Sequence, residues 1–267
     1  MDFGTFYQYR GGTLAPVVEP ADQEVRLGVA DSFLVADGRV RSIERHLARF
    51  TSGIEKVAPE YLSELESFFA AAIALIPREG RWWPRFELHL GSPGGEQLYL
   101  RLRAAPEQLG EATLWTLPES DPRNNPIVKG PDLSLGMQLR RKAMMFGADE
   151  AVLLNQDGYI AEGALSSIVW WEGETLCAPD HNIPWLQSVT RDIVLDMAAQ
   201  AGYQVRLKNA KPAELVGREV WLLGAIQGIR PVTNWIDLGG PLGKPEHFES
   251  FNRRLRLISA PLERLDS

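Results

Sequence analysis

The stretch "TLPESDPRNNP", from Thr116 to Pro126, carries three prolines and two asparagines, a composition through which neither a helix nor a central strand continues. It splits the chain into two patterned regions, and we expect a first domain over 1–115, a linker over 116–126 and a second domain over 127–267. Ahead of the break, "SFLVADGRVRSI" sets two apolar runs around Asp37-Gly38, a hairpin signal. Ser42 is placed to cap a helix that carries Leu47, Phe50 and Ile54 and stops at Pro59. The recurrence of Leu62, Leu65, Phe69 and Ile73 predicts a second helix over 60–76. "RFELHLG" and "QLYLRLRA" alternate apolar and polar residues on either side of "SPGG" and read as an antiparallel pair.

Beyond the break, Asp132 is positioned to cap a helix with Leu135, Leu139 and Ala143 on one face. "AVLLN" and "SSIVWW" read as strands, and a further helix is expected from Thr190 to Ala201, with Gly202 as its stop. The result is an α+β chain whose second half is rich in strands. At 45% hydrophobic residues it has enough apolar mass for a large core, and its net charge of -7 argues against a surface for nucleic acid. The triplet Arg140-Arg141-Lys142 is accounted for as a solvated helix face. The first residues show no basic segment followed by an apolar run, and no stretch is long enough to span a bilayer, so a cytoplasmic protein without a membrane partner is expected. Cys177 is the single cysteine, which excludes an internal disulfide, and the four histidines lack ligand spacing, so no metal site is expected.

Chemistry gathers at three places. In "DGYIAEGALSSIVWW" the carboxylate of Glu162 interrupts a run that reads as buried strand, where a charge has to be matched. Among six lysines, Lys129 alone follows apolar residues and precedes a tight turn into a helix, a setting in which partial burial makes an amine nucleophilic. "LQSVTRD" puts Ser188, Val189 and Thr190 at the start of a helix, where unpaired N–H groups and the helix dipole favour an anion such as phosphate. Arg49, in the other half, offers a matching positive charge. An amine for an aldehyde, donors for a phosphate and a buried anion for a pyridinium are the protein-side needs of pyridoxal 5'-phosphate.

In this arrangement the sequence resembles the class IV aminotransferases, the fold-type IV pyridoxal-phosphate enzymes that include branched-chain and D-amino-acid aminotransferases and 4-amino-4-deoxychorismate lyase. The resemblance rests on "KGPDL", "GADEAVLLNQDGYIAEGALSSIVWW", "LQSVTRDIVLDMAAQAG" and "GIRPV". It implies a two-domain fold with a strand-rich C-terminal cofactor-binding domain, a homodimer, and a lysine that carries the cofactor as an aldimine. By the resemblance Lys129 matches that lysine, Glu162 the acid facing the pyridine nitrogen, and Arg49 of "HLARF" a phosphate ligand. Val189 and Thr190 match residues that hold phosphate, with Ser188 beside them and Ala225 and Ile226 preceding "GIRPV".

The chain departs from the family pattern at several points. Ser167 replaces the Asn of Glu-x-x-x-x-Asn, Gly224-Ala225 replace a polar pair, Ser134 or a neighbour stands for a tyrosine, and "GVADSF" alters the "GDGVFET" element. An aminotransferase needs arginine for its substrate carboxylate, and Arg85 lies where branched-chain members carry one, with Arg101 and Arg103 as further candidates on an alternating strand. The lyase needs a proton donor for its leaving fragment, and Ser32 stands where it has a threonine. Glu96 occupies the place of the lyase's substrate arginine. The expected activity is therefore an aminotransferase acting on a small amino acid and keto acid pair. The lyase that releases pyruvate and 4-aminobenzoate is the first alternative, and a non-catalytic family member that binds the cofactor is the second.

Overall fold

The computed structural model describes residues 4–18, 25–91 and 97–265. Contacts group the chain into two compact units, Met1–Glu107 with Val128–Pro131 and Ile258–Ser267, and Gln108–Ile127 with Asp132–Leu257. The first unit contains β1 (Thr5–Arg10), β2 (Thr13–Val17), β3 (Arg26–Ser32), β4 (Val35–Ala36), β5 (Arg39–Val40), α1 (Ile43–Val57), α2 (Leu65–Leu75), β6 (Arg81–Trp82), β7 (Arg85–Leu90) and β8 (Gln97–Leu102). The second contains β9 (Ala112–Thr116), α3 (Leu133–Met145), β10 (Glu150–Leu154), β11 (Ile160–Gly163), β12 (Ser167–Glu172), β13 (Thr175–Ala178), α4 (Val189–Gln200), β14 (Gln204–Leu207), β15 (Val220–Gly224), β16 (Gly228–Trp235) and α5 (Phe248–Leu257). A last short strand, β17 (Ala260–Pro261), returns to the first unit.

In the first unit, five strands form a sheet in the order β2-β1-β8-β7-β3, and β17-β5-β4-β6 form a small second sheet. The pairing Phe86↔Leu100 and Leu88↔Leu98 puts these apolar residues on one face, where they join Val29 and α1 and α2 residues such as Phe50, Ile54, Phe68 and Phe69 in a core. The other face is polar and also largely buried, so the alternation of "RFELHLG" and "QLYLRLRA" does not separate core from solvent: Glu87, His89, Tyr99 and Arg101 are all buried. The connecting "SPGG" turn and Glu96 lie outside the described residues.

The second unit is built on an eight-stranded mixed sheet, β11-β10-β9-β16-β15-β12-β13-β14. Side chains on its two faces form separate cores, one around Trp170 and Leu222 and one around Trp221, Val194 and Phe251. β9 pairs with both β10 and β16, which is why the second unit begins before the expected break at 115. The proline-rich stretch that follows is tied down, with Leu117 N–H donating to the Val152 carbonyl and Asp121 N–H to that of Leu154. Four residues, Val128–Pro131, then group with the first unit.

Several expected elements appear with different local chemistry. Asp37 (φ 47°) and Gly38 (φ 70°) make the hairpin turn between β4 and β5. Ser42 does precede α1, but it is left-handed and makes no side-chain cap. The helix expected over 60–76 starts as a 3-10 turn at Pro59–Glu64, with Leu62 exposed, and becomes α-helical only from Leu65, where burial begins. Asp132 stands before α3 without capping it, because its carboxylate accepts instead from the N–H groups of Asn124 and Asn125. α4 is capped by Ser188, not Thr190. Among the described residues no helix is long and apolar enough to cross a membrane.

Candidate active site

Glu162 lies in β11, four residues with every side chain buried, opposite Leu153 of β10. The Asn155–Tyr159 turn ends the hairpin, with Gly158 at φ 80°. At 5% exposure the carboxylate has two matched donors, Arg123 Nη1 at 2.5 Å and the Leu186 N–H at 2.9 Å, and both reach Oε1. Burial pushes its pKa above the usual carboxylate value, and Arg123 offsets this only in part. Arg123 is itself shared with Asp121, which takes its Nε at 3.0 Å and its Nη2 at 2.6 Å. Arg191, 4% exposed, is also coupled electrostatically to Glu162. Its guanidinium lies 3.3 Å from the centroid of the Trp185 ring, and its Nε is buried with no hydrogen-bond partner. Burial drives its pKa down, offset in part by Asp192, whose Oδ1 lies 3.5 Å from Nη2, and by Glu162.

Arg191 belongs to the first turn of α4, at the end of the helix that carries the positive pole of the dipole. The Ser188 hydroxyl accepts from the Arg191 N–H at 3.2 Å, while Val189 and Thr190 are buried at the same helix start. Ala225 and Ile226 form the turn between β15 and β16. Glu162, the α4 start and this turn thus all belong to the second unit.

In the first unit, β3 and α1 bring together a second set. Asp31 is fully buried and accepts from His46 at 2.7 Å and from Arg49 Nε at 2.6 Å. Burial would raise its pKa, but Arg49 and His46 together bring it down to about 2. Lys129 adjoins this group: the Ala30 N–H donates to its carbonyl at 2.6 Å, and its charge acts on His46. Burial lowers the His46 pKa, and Arg49 and Lys129 act in the same direction against the pull of Asp31. Gly130 holds the backbone of this segment against β3, with φ 147° and a position where a Cβ would stand 2.8 Å from the Gly28 carbonyl oxygen. No larger residue fits there without moving the strand.

The three candidate substrate arginines separate. Arg85, Glu87 and His89 of β7 share the polar sheet face with Tyr99 and Arg101 of β8, and Ser32 of β3 is registered opposite Arg85. Glu87 Oε1 accepts from Arg85 Nε at 2.6 Å and from Arg101 Nε at 2.7 Å, and Oε2 pairs with His89 Nε2 at 2.6 Å. Arg101, expected to be either a ligand or solvent-facing, is buried over the Phe6 ring at 4.7 Å. Arg103 is stacked on Trp83 at 3.6 Å.

These features agree with the comparison to known proteins. The family model for amino-transferase class IV matches residues 28–235. The chain belongs to this family. Among relatives, it is 22% identical over 236 residues to a bifunctional aminodeoxychorismate lyase / D-amino acid transaminase of Mycobacterium tuberculosis, covering 74% of this chain and 78% of that enzyme. It is 28% identical over 85 residues to the aminodeoxychorismate lyase of Bacillus subtilis, a match that spans 32% of this chain and only 29% of the relative. Its fold matches that of a hypothetical aminotransferase from M. tuberculosis, solved in a PLP-bound form, with a TM-score of 0.76 at 17% identity over 96% of this chain and 98% of that one.

For a class IV aminotransferase family member, motif reading singles out Glu162, Lys129, Arg49 and the α4 start as candidates, and it does not anticipate Arg123, Asp121, Arg191, Asp31, His46 and Glu87 as the groups around them and around the candidate arginines. Arg123 was hidden because "DPRNNP" has the composition of a connector, although its side chain is only 6% exposed. The available signal was charge balance: a carboxylate in a buried strand calls for a cation, although the sequence does not say which one.

Proposed function

We propose that this chain is a pyridoxal-phosphate-dependent aminotransferase acting on a small amino acid and its keto acid. The observation that carries the proposal is Glu162, an incompletely compensated carboxylate in a buried strand beside a helix start that holds the partnerless Nε of Arg191. A further cation against Glu162 and an anion near Arg191 would complete both groups, and a protonated pyridine nitrogen and a phosphate are one cation and one anion of the required kind. The donor set thus fits the cofactor. When bound, the cofactor supplies an aldehyde that captures amines and a ring that accepts the electron pair left when a substrate proton departs.

In this reading Lys129 provides the amine that holds the cofactor and, once released, carries the proton between the two carbons. Glu162 keeps the ring nitrogen protonated. Ser188, Val189, Thr190, Ala225 and Ile226 hold the phosphate with Arg49, and Asp31 fixes Arg49 through its Nε. Arg85 receives the substrate carboxylate, while Arg101, opposite it on β8, is held by Glu87 and Arg103 is stacked on Trp83. A homodimer is part of the proposal and is checked by light scattering.

One observation favours the second reading, aminodeoxychorismate lyase. Ser32 is buried and registered directly opposite Arg85, a hydroxyl beside the proposed carboxylate receptor and suited to protonate a leaving fragment. The deciding experiment is a visible absorption spectrum of the purified protein with added pyridoxal phosphate, followed by addition of D- or L-amino acids or of aminodeoxychorismate. A band that forms in wild type, is lost in Lys129→Ala and shifts with amino acids supports the aminotransferase. Pyruvate release from aminodeoxychorismate supports the lyase, and no band at all refutes both.

A further inference from the structure

The segment between β13 and α4, Pro179 to Ser188, is neither helix nor strand, so no ladder fixes the direction of its N–H groups. One of them is nevertheless a donor to the site: the Leu186 N–H reaches Glu162 Oε1 at 2.9 Å. The peptide has to be held in line by side chains, and the residue before it is Trp185, only 8% exposed.

The Trp185 indole is held from several directions. Its Nε1–H donates to the Asp180 carbonyl at 2.9 Å, and the same carbonyl takes the Ile183 N–H at 3.2 Å, so one oxygen folds the segment back on itself. The ring is buried in a cluster with Ile183 and with Ala161, the residue that precedes Glu162 in β11. His181 meets it at a tilt, with 5.2 Å between centroids. The Arg191 guanidinium lies over the ring at 3.3 Å, a cation–π contact between two buried groups.

These contacts lead to both charged groups of the site. Arg191 pairs with Asp192 through Nη2 at 3.5 Å, and its Nε has no hydrogen-bond partner, so polar contacts alone define the guanidinium plane weakly. The ring supplies the missing constraint, because a guanidinium stacks flat on an aromatic face. At Glu162, Arg123 and the Leu186 N–H both reach Oε1, and Arg123 is shared with Asp121. Of these two donors the Leu186 N–H is the one given to Glu162 alone, and its place follows from that of Trp185.

We propose that Trp185 is the positioning residue of this site: its ring face orients Arg191, and its anchored indole holds the Leu186 N–H on Glu162. The identity of the site's occupant rests on the proposed function, whereas the positioning stands on contacts within the second unit. One side chain aligns the cation and the acid together, so a change at Trp185 is felt at both.

The test reads both groups by NMR in protein without added cofactor, carrying nitrogen-labelled leucine and arginine. It follows the Leu186 amide proton, which a carboxylate acceptor shifts downfield, and the Arg191 Nε–H. Glu162→Gln sets the scale for the first, since an amide oxygen is a weaker acceptor than a carboxylate. Trp185→Leu stays apolar but removes the ring face and the indole N–H. It should move the Leu186 signal most of the way to its place in Glu162→Gln and speed solvent exchange of the Arg191 Nε–H roughly 5- to 10-fold, the worth of a desolvated cation–π contact. Trp185→Phe keeps a ring face and loses the bond to Asp180, so the Leu186 signal should move while the Arg191 signal stays near that of wild type. If Trp185 only fills space, both variants lower the unfolding midpoint and leave both signals in place, and the proposal is overturned. Movement of a single signal in Trp185→Leu would overturn the joint role as well. Added pyridoxal phosphate separates this proposal from the functional reading. Signals that move in the variants, with no visible band from the cofactor in wild type, sink the functional reading and leave Trp185 as a positioning residue. A band in wild type with unmoved signals in both variants has the opposite meaning.

Discussion

Two buried acids in each unit, Asp31 and Glu87 in the first and Glu150 and Glu162 in the second, are compensated in opposite ways. In the first unit Asp31 has Arg49 and a hydrogen bond with the His46 ring, and Glu87 has Arg85, Arg101 and the His89 ring, so each carboxylate has an arginine and further hydrogen bonds, and both pKa values fall. In the second unit Glu162 shares one arginine with Asp121, and Glu150 has a Ser166 hydroxyl at 3.1 Å and only the electrostatic help of Arg140, so both pKa values rise. Burial is similar in all four. What differs is the number of partners, and this decides which acids stabilise the fold and which are left open to a further cation.

The largest effect should come from breaking the well-compensated side. Asp31→Asn keeps the shape but leaves Arg49 and His46 without their anion, and it should cost about 4 kcal/mol of stability in urea unfolding, in the range for removing one partner of a buried ion pair. Because the folded pKa of Asp31 is depressed, its contribution is present above the ordinary value of 3.8 and is lost as pH falls toward about 2. A variant as stable as wild type would show that the Asp31 hub is not structural. Glu150 should behave in the reverse sense. Its folded pKa is raised to about 7, mainly by burial, so the folded state holds its proton more tightly and stability declines as pH rises from about 4.5 to 7. That decline amounts to about 3 kcal/mol and should vanish in Glu150→Gln. Equal pH slopes in variant and wild type would remove Glu150 from the comparison.

Glu162→Gln sharpens the contrast between stabilising and functional acids. The amide oxygen can still accept from Arg123 and Leu186 N–H, and Arg123 keeps Asp121, so stability should change by no more than about 1 kcal/mol. Turnover, by contrast, should fall about 100-fold, because a neutral amide cannot hold a proton on the ring nitrogen. Unfolding and steady-state rates on the same preparation decide it: a large stability loss with normal turnover would make Glu162 another structural acid.

The sequence was most legible where chemistry is local. Asp37-Gly38 and the period of Leu135, Leu139 and Ala143 depend on near neighbours, and each has its counterpart in the fold, the β4–β5 turn and α3. Partnerships across long separations were not legible. Glu87 and Arg101 are 14 residues apart and Arg123 and Glu162 are 39 apart, and nothing in either segment names the other. Alternation also misled on β7 and β8, because a strand buried on both faces can keep its polar residues when they neutralise one another. Composition misled at "DPRNNP" for a related reason: Asn and Pro mark irregular backbone, and irregular backbone can still deliver a buried side chain.

The smallest expected effect compares two serines in the same formal position. Ser42 precedes α1 and Ser188 precedes α4, and the sequence offers the first as a helix cap and the second as part of an anion site at a helix start. Ser188 has extended backbone and its hydroxyl accepts from the Arg191 N–H, whereas Ser42 is at φ 45° with no side-chain bond. Ser188→Ala should therefore cost about 1 kcal/mol, the usual loss of an N-cap, and Ser42→Ala only a few tenths. Ser42→Gly should be neutral or slightly stabilising, because glycine removes the Cβ penalty of a left-handed residue. Added phosphate or pyridoxal phosphate provides the discriminating measurement. If the α4 start is an anion site, the ligand raises the unfolding midpoint of wild type and raises that of Ser188→Ala less, while Ser42→Ala responds as wild type does. Equal responses in both alanine variants would mean that Ser188 caps a helix and does nothing for the anion, which would leave the phosphate to the N–H groups of Val189 and Thr190 and to the turn at Ala225 and Ile226.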